Sequence, residues 1–134
     1  MAVPSVPSGV EVETSLEGGA GIFEGNETQI SQMILNLVLN GFQAMEEKGG
    51  TLKVSTYSTE ELVVISVQDE GMGIPKEHVK NIYEPFFTTK ETGKGTGLGL
   101  AIVQQVVSEH QGHIRLNTKE GKGSVFIVEF PRKK

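Results

Sequence analysis

The chain has 134 residues, 37% hydrophobic and 22% charged, which suits one soluble globular domain with a core of its own. The formal net charge of −5, with no basic run beyond the terminal "RKK", argues against a nucleic-acid partner. Cysteine is absent, which excludes disulfides and thiolate metal sites, and no apolar run reaches the roughly 18 residues that a membrane span needs.

In chain order, "MAVPSVPSGV" lacks the charged and apolar regions of a signal peptide. Residues 1–9 read as an interdomain linker or the cut end of a longer chain. "VEVETSLE" (Val10 to Glu17) alternates as a strand does, and "GIFEG" (Gly21 to Gly25) offers a second, short one. The pattern then predicts a long helix over Asn26 to Lys48, with Asn26 as N-cap, Gln29 at the third helical position and Gly49-Gly50 as the stop. "TLKVSTYS" and "ELVVISVQD" are rich in Val, Ile and Thr and read as strands joined at Thr59-Glu60. Pro75 opens a predicted short helix to Tyr83, as a first-position proline should. Residues 84–96 read as a long polar loop, Gly97 to Gln111 as a third helix, and "HIRLNTKE" and "SVFIVEF" as a closing hairpin around "GKG". Helices and strands mix without strict alternation. The expected fold is therefore α/β (α+β): a two-layer sandwich with a mixed, mostly antiparallel sheet and about three helices packed on one face. The main domain covers 10–131, and 132–134 form a tail.

Within the long helix, Gln29, Gln32, Asn36, Asn40 and Gln43 fall inside an arc of about 80° at roughly 100° per residue. Their neighbours Ile30, Met33, Ile34, Leu35, Leu37, Val38, Leu39 and Phe42 are apolar. A solvent stripe is the plain reading. Against it, solvent stripes usually carry Lys and Glu, whereas the middle of this one is uncharged, and Asn is a weak helix former. Amide oxygens there could ligate a hard cation or accept from a ligand.

"VVISVQDEGMGIP" puts Asp69 at the end of a buried-looking strand, followed by Gly71, Gly73, Ile74 and Pro75. Asp and Gly favour plain turns. The same residues also suit a nucleobase site, in which a carboxylate accepts from an exocyclic amine, glycines admit a flat ring and Ile74 supplies apolar contact.

"TTKETGKGTGLGL" places Gly93, Gly95, Gly97 and Gly99 where a helix must begin. Glycine is costly there unless the bare backbone is needed. Amide groups at the positive end of a helix dipole bind anions, phosphates above all, and Lys90 and Lys94 add charge. The alternative is a flexible lid or hinge without a ligand. A Rossmann turn would need a strand directly before the glycines, and a Walker A loop would need Gly at Thr88 and Ser or Thr at Gly95.

Taken together and in order, these segments resemble the catalytic ATP-binding domain of bacterial sensor histidine kinases, which shares a superfamily with gyrase-type and mismatch-repair ATPases. "QISQMILNLVLNGFQAM" resembles the N box, "DEGMGI" the first glycine box, "IYEPFFTTK" the F box, "GKGTGLGLAIV" the second glycine box and "GKGSVFIVEFP" the last. Hydrolytic relatives generally lack the F box. The resemblance implies Mg²⁺ and ATP as cofactors. Asn40 would coordinate the metal bridging the phosphates, with Asn36 one turn earlier on the same face. Asp69 would accept the adenine amino group, and Gly71 and Gly73 would let the base pack closely, with Ile74 beside it. Gly95, Gly97 and Gly99, within the run Lys94, Gly95, Thr96, Gly97, Leu98, Gly99 and Leu100, would bind phosphates and hinge a lid that Phe86 and Phe87 anchor. Ser124 would support Asp69 through a water.

The resemblance also implies a reaction. Hydrolytic relatives carry a Glu where Asn36 stands, and an amide cannot take a proton at neutral pH. ATP would then be bound without efficient activation of water, and the phosphoryl acceptor would be a histidine on a dimerisation domain, with a response regulator downstream. Gln43 stands where many such kinases carry Lys or Arg, which leaves Lys90 as the substitute charge, and Asn40-Gly41 replaces the commoner Asn-Ala. The three histidines, His78, His110 and His113, lack the paired-helix context of a phosphoacceptor and read as surface or cap residues. The implied product is a cytoplasmic, monomeric catalytic domain of a membrane-anchored or soluble parent kinase. An anti-sigma-type serine kinase and an ATP-gated interaction module are the rival readings.

Overall fold

Alternation along the strands decides which face meets the helices. The computed structural model describes residues 9–16, 27–46, 48–79, 81–82 and 99–131. The strands are β1 (Val10–Leu16), β2 (Gly50–Ser58), β3 (Leu62–Asp69), β4 (His113–Lys119) and β5 (Gly123–Pro131), and the helices are α1 (Glu27–Ala44) and α2 (Gly99–Glu109). The strands form one sheet in the order β1-β2-β3-β5-β4. β1 runs parallel to β2, and the other neighbours pair antiparallel.

In-register rows cross the sheet. Thr56, Ile65, Val128 and Ile114 make one row, and Val54, Val67, Phe126 and Leu116 the next. Apart from Thr56, these side chains share a core with Met33, Leu37 and Phe42 of α1 and Val103, Val106 and Val107 of α2. The apolar face of each helix is therefore the face pressed on the sheet, and its removal from water is the main stabilising term. The following row on the same face is polar: Asp69 of β3 opposite Ser124 of β5, and Ser124 opposite Thr118 of β4. On the other face Val64 is only 2% exposed, between Tyr57 and Glu129. Glu129 is ion-paired with the exposed Arg115 at 3.2 Å, a pair worth little by itself in water.

The two-layer mixed sandwich is as the sequence predicts, with two α-helices among the described residues rather than about three. After Pro75 the chain makes a single 3₁₀ turn, Lys76–His78. The amide of His78 bonds to the Pro75 carbonyl at 2.9 Å and that of Asn81 to the His78 carbonyl at 2.9 Å, so the bonding is i to i+3 and too tight for an α-helix. α1 ends at Ala44 instead of Lys48, because the chain must double back to start β2. The amide of Gly49 caps the turn on the Met45 carbonyl at 2.7 Å. The predicted N-cap Asn26 and short strand Gly21 to Gly25 lie outside the described residues, as does the loop 84–96. Among the described residues no helix is long and apolar enough to cross a membrane.

Candidate functional site

Asp69 closes β3 and is 4% exposed. A buried carboxylate needs donors, and one comes from two residues along the chain, where the Gly71 amide donates to Asp69 Oδ1 at 2.9 Å. Ser124, also buried, lies directly opposite on β5. Thr118 Oγ1 is 2.8 Å from Ser124 Oγ and 3.2 Å from the Gly123 carbonyl, and it accepts the Ile74 amide proton at 2.9 Å.

The two glycines of "DEGMGI" each answer a packing demand. A Cβ on Gly71 would sit 2.5 Å from the Ala44 carbonyl oxygen at the end of α1, and backbone cannot retreat as a side chain can. Gly73 has φ +71, and a Cβ there would collide with the Lys119 carbonyl at the tip of the β4–β5 hairpin. The same two neighbours grip Met72: its amide donates to Ala44 O at 3.3 Å, and its carbonyl accepts from the Gly121 amide at 2.7 Å. This leaves the Met72 side chain 51% exposed, while Ile74 packs against the core.

α1 lies across this polar row. A Cβ on Gly41 would sit 3.6 Å from Asp69 Cβ, an ordinary contact, and would meet the movable end of the Leu52 side chain, so the helix lies close on β2 and β3 here. Asn40 immediately precedes it, and Asn40 and Gln43 are both half-buried. One turn back, Asn36 approaches the start of α2, where a Cβ on Gly99 would lie 3.9 Å from Asn36 Cβ. Asn36 Oδ1 accepts from Gln32 Nε2 at 3.5 Å, and Asn36 Nδ2 is buried with no hydrogen-bond partner among the described residues. Gln29 plays a different part: its Nε2 donates to Glu109 Oε2 at 3.2 Å and ties α1 to the end of α2. Of the amide stripe only Gln32 is exposed; Gln29, Asn36, Asn40 and Gln43 are half-buried, while Leu39 of the same helix is exposed.

The structure thus sets Asp69 against Gly41 and Gly71 against Ala44 at the end of α1, Ser124 opposite Asp69, Gly73 and Ile74 against Lys119 and Thr118 of β4, and Gly99 beside Asn36, while Asn40 and Gln43 are half-buried positions of α1. Leu100 packs against the core. Phe86, Phe87, Lys90, Lys94, Gly95, Thr96, Gly97 and Leu98 lie outside the described residues. No group of three or more His, Cys, Asp or Glu able to hold a metal occurs among the described residues. His110 is buried at the end of α2, with Nδ1 2.8 Å from the Val106 carbonyl and its ring edge-on to Phe130. It is a cap residue, as its place after the helix suggests. Sequence reasoning missed Thr118. Its signal was phase: it follows Ile114 and Leu116 at alternate positions, so its hydroxyl had to point inward.

Residues 25–134 match the family described as histidine kinase-, DNA gyrase B-, and HSP90-like ATPase. Sporulation kinase C of Bacillus subtilis (strain 168) is 42% identical over 130 residues, covering 96% of this chain and 30% of that protein. The solved catalytic domain of histidine kinase ThkA aligns with a TM-score of 0.79 at 35% identity, covering 94% of this chain and 82% of that one. Full-length ShkA in complex with AMPPNP aligns with a TM-score of 0.80 at 25% identity, covering 94% of this chain and 26% of that one. The chain therefore spans less than a third of the length of sporulation kinase C.

Proposed function

The chain belongs to the family of histidine kinase-, DNA gyrase B- and HSP90-like ATPases, and from that premise we propose that it is the ATP-binding catalytic domain of a sensor histidine kinase, over residues 10–131. It donates the γ-phosphoryl group of Mg-ATP to a histidine on a dimerisation domain of the parent kinase, which passes it to a response regulator.

The observation that carries this reading is the double contact of α1. Gly41 rests on Asp69, and Asn36 rests beside Gly99 at the N-terminus of α2. Along a helix those two contacts are about 7.5 Å apart, the scale of the reach from a purine to its phosphates. Asp69 would accept the adenine amino group, with Met72 and Ile74 alongside. The N-terminus of α2 would face the phosphates, where its amides and dipole favour an anion. Asn36 Nδ2, without a partner among the described residues, fits the same end, because a buried N–H without an acceptor is costly and a phosphate oxygen would supply one.

The donor set fits Mg²⁺ as well. An amide oxygen is a hard ligand, and Mg²⁺ bound to nucleotide phosphates uses one or two protein oxygens. Asn40 would hold it, and the ion would neutralise phosphate charge. Asn36 cannot serve as general base toward water, so the chain's own part is binding, orientation and charge stabilisation. Gln43, Phe86, Phe87, Lys90, Lys94, the Gly95–Leu98 run and Leu100 complete the proposed lid and phosphate contacts.

The test is calorimetry of the chain with ATP, with and without Mg²⁺, followed by transfer of labelled phosphate to the separately made dimerisation domain. Mg²⁺-dependent binding and a labelled histidine on that domain are expected. Absence of binding at millimolar ATP would refute the reading in favour of an interaction module, and a labelled serine on a partner would favour the serine-kinase alternative.

A further inference from the structure

Thr118 stands outside every motif so far invoked, yet it is the junction of the polar row. Its single oxygen accepts the Ile74 amide proton at 2.9 Å and lies 2.8 Å from Ser124 Oγ and 3.2 Å from the Gly123 carbonyl. Thr118, Ser124 and Asp69 occupy directly opposed positions on β4, β5 and β3, so one row of side chains crosses three strands on the helix-bearing face. Opposed side chains of neighbouring strands are close enough to interact.

A hydroxyl has one proton to give. With the Ile74 amide already donating to Thr118 Oγ1, that proton goes either to Ser124 or to Gly123. The Ser124 oxygen is nearer. When Thr118 donates to Ser124, the Ser124 proton is freed for another acceptor, and Asp69 is the residue opposite Ser124 on β3. The same oxygen fixes the Ile74 amide, the last backbone group of the loop that leaves Asp69. Met72 is gripped by Ala44 and Gly121, and Gly71 by Asp69 itself. Thr118 thus ties Ser124, opposite Asp69 on the sheet, to Ile74 at the far end of the loop that leaves Asp69.

We propose that Thr118 is a positioning residue for purine recognition, acting through Ser124 and the Ile74 amide to hold the Asp69 carboxylate in the orientation that accepts an exocyclic amine. The inference rests on the reading of Asp69 as the base contact. Its test separates orientation of the carboxylate from general loosening of the fold. Thr118→Val keeps the shape and removes the hydroxyl, and Thr118→Ser restores the hydroxyl without the methyl. Binding of ATP and of ITP, which carries an oxo group in place of the amine, is measured by calorimetry for each variant of the whole chain, with thermal melting alongside.

In Thr118→Val the preference for ATP over ITP should collapse by roughly ten-fold, through lost ATP affinity, with ITP affinity held, and Thr118→Ser should recover it to within about two-fold. Equal losses for ATP and ITP in Thr118→Val would assign a merely structural role and overturn the inference, as would an unchanged preference. If Thr118→Val fails to fold, failure of the folded Thr118→Ser to keep the wild-type preference overturns it. A wild-type chain that binds neither nucleotide overturns the nucleotide reading and this inference together, whereas a wild-type chain that prefers ATP beside an unaltered Thr118→Val overturns this inference alone.

Discussion

The two ends of the candidate site are built on opposite plans. Around Asp69 the backbone of residues 71–74 is clamped between the end of α1 and the tip of the β4–β5 hairpin, with its polar groups bonded to Asp69, Ala44, Gly121 and Thr118. Around Asn36 and Gly99 two helices approach with room to spare, and a buried amide nitrogen has no partner among the described residues. Strands supply a frame whose loop backbone is bonded within the protein, which suits the proposed contact with a flat base. Helix starts supply unsatisfied donors, which a charged and movable phosphate chain can meet. The difference teaches that glycines with the same appearance in sequence serve different ends. Gly71 and Gly73 are required by the protein's own packing, while a Cβ on Gly99 would meet only Asn36 Cβ, at 3.9 Å, among the described residues.

That contrast can be broken experimentally. The largest effect should come from Gly71→Ala, whose new methyl would press on the Ala44 carbonyl. A loss of about 3 kcal/mol in denaturant unfolding is expected, and a loss under about 1 kcal/mol would show that the clamp yields. Asp69→Asn keeps an oxygen for the Gly71 amide and so should keep the fold, but it places an N–H₂ in competition with the acceptor. ATP affinity should fall by about 2 kcal/mol in calorimetry, and unchanged affinity would remove Asp69 from the base contact.

Asn36→Ala sharpens the other end. It deletes a donor that no described group uses, so stability should move by less than about 0.5 kcal/mol. ATP affinity should drop by about 1 kcal/mol, and a matching loss of stability would mean that the amide serves the fold instead. The smallest effect belongs to Gly99→Ala. With its nearest neighbour among the described residues 3.9 Å away, a methyl there should leave the melting temperature unchanged or raise it slightly, since alanine favours helix. A marked destabilisation would erase the distinction between the two ends.

Much of this was legible beforehand. The runs "TLKVSTYS" and "ELVVISVQD" are β2 and β3 almost residue for residue, because branched side chains and alternation carry a strand signal locally. Asp69 was visible as a polar residue ending an apolar run, and the amides of α1 as an uncharged stripe. Less was visible where distant segments meet. Gln29 belonged to the stripe by spacing, yet it bonds to Glu109 of α2, and spacing within one helix cannot reveal what the next helix brings. Pro75 signalled a helix start and opened only a 3₁₀ turn. A starting residue does not specify how far the bonding continues.

Period and composition along the chain determined the strands, the two helices, the inward faces and the class of ligand worth testing, since each depends on neighbours within a turn or a pleat. Tertiary structure alone decided that β5 inserts between β3 and β4, and that the insertion sets Ser124 and Thr118 in line with Asp69. It decided too that Gly41 and Asn36 tie α1 to the sheet and to α2. Those placements depend on pairing between residues far apart in sequence, where the energy lies in shape fit and shared hydrogen bonds that no local pattern encodes.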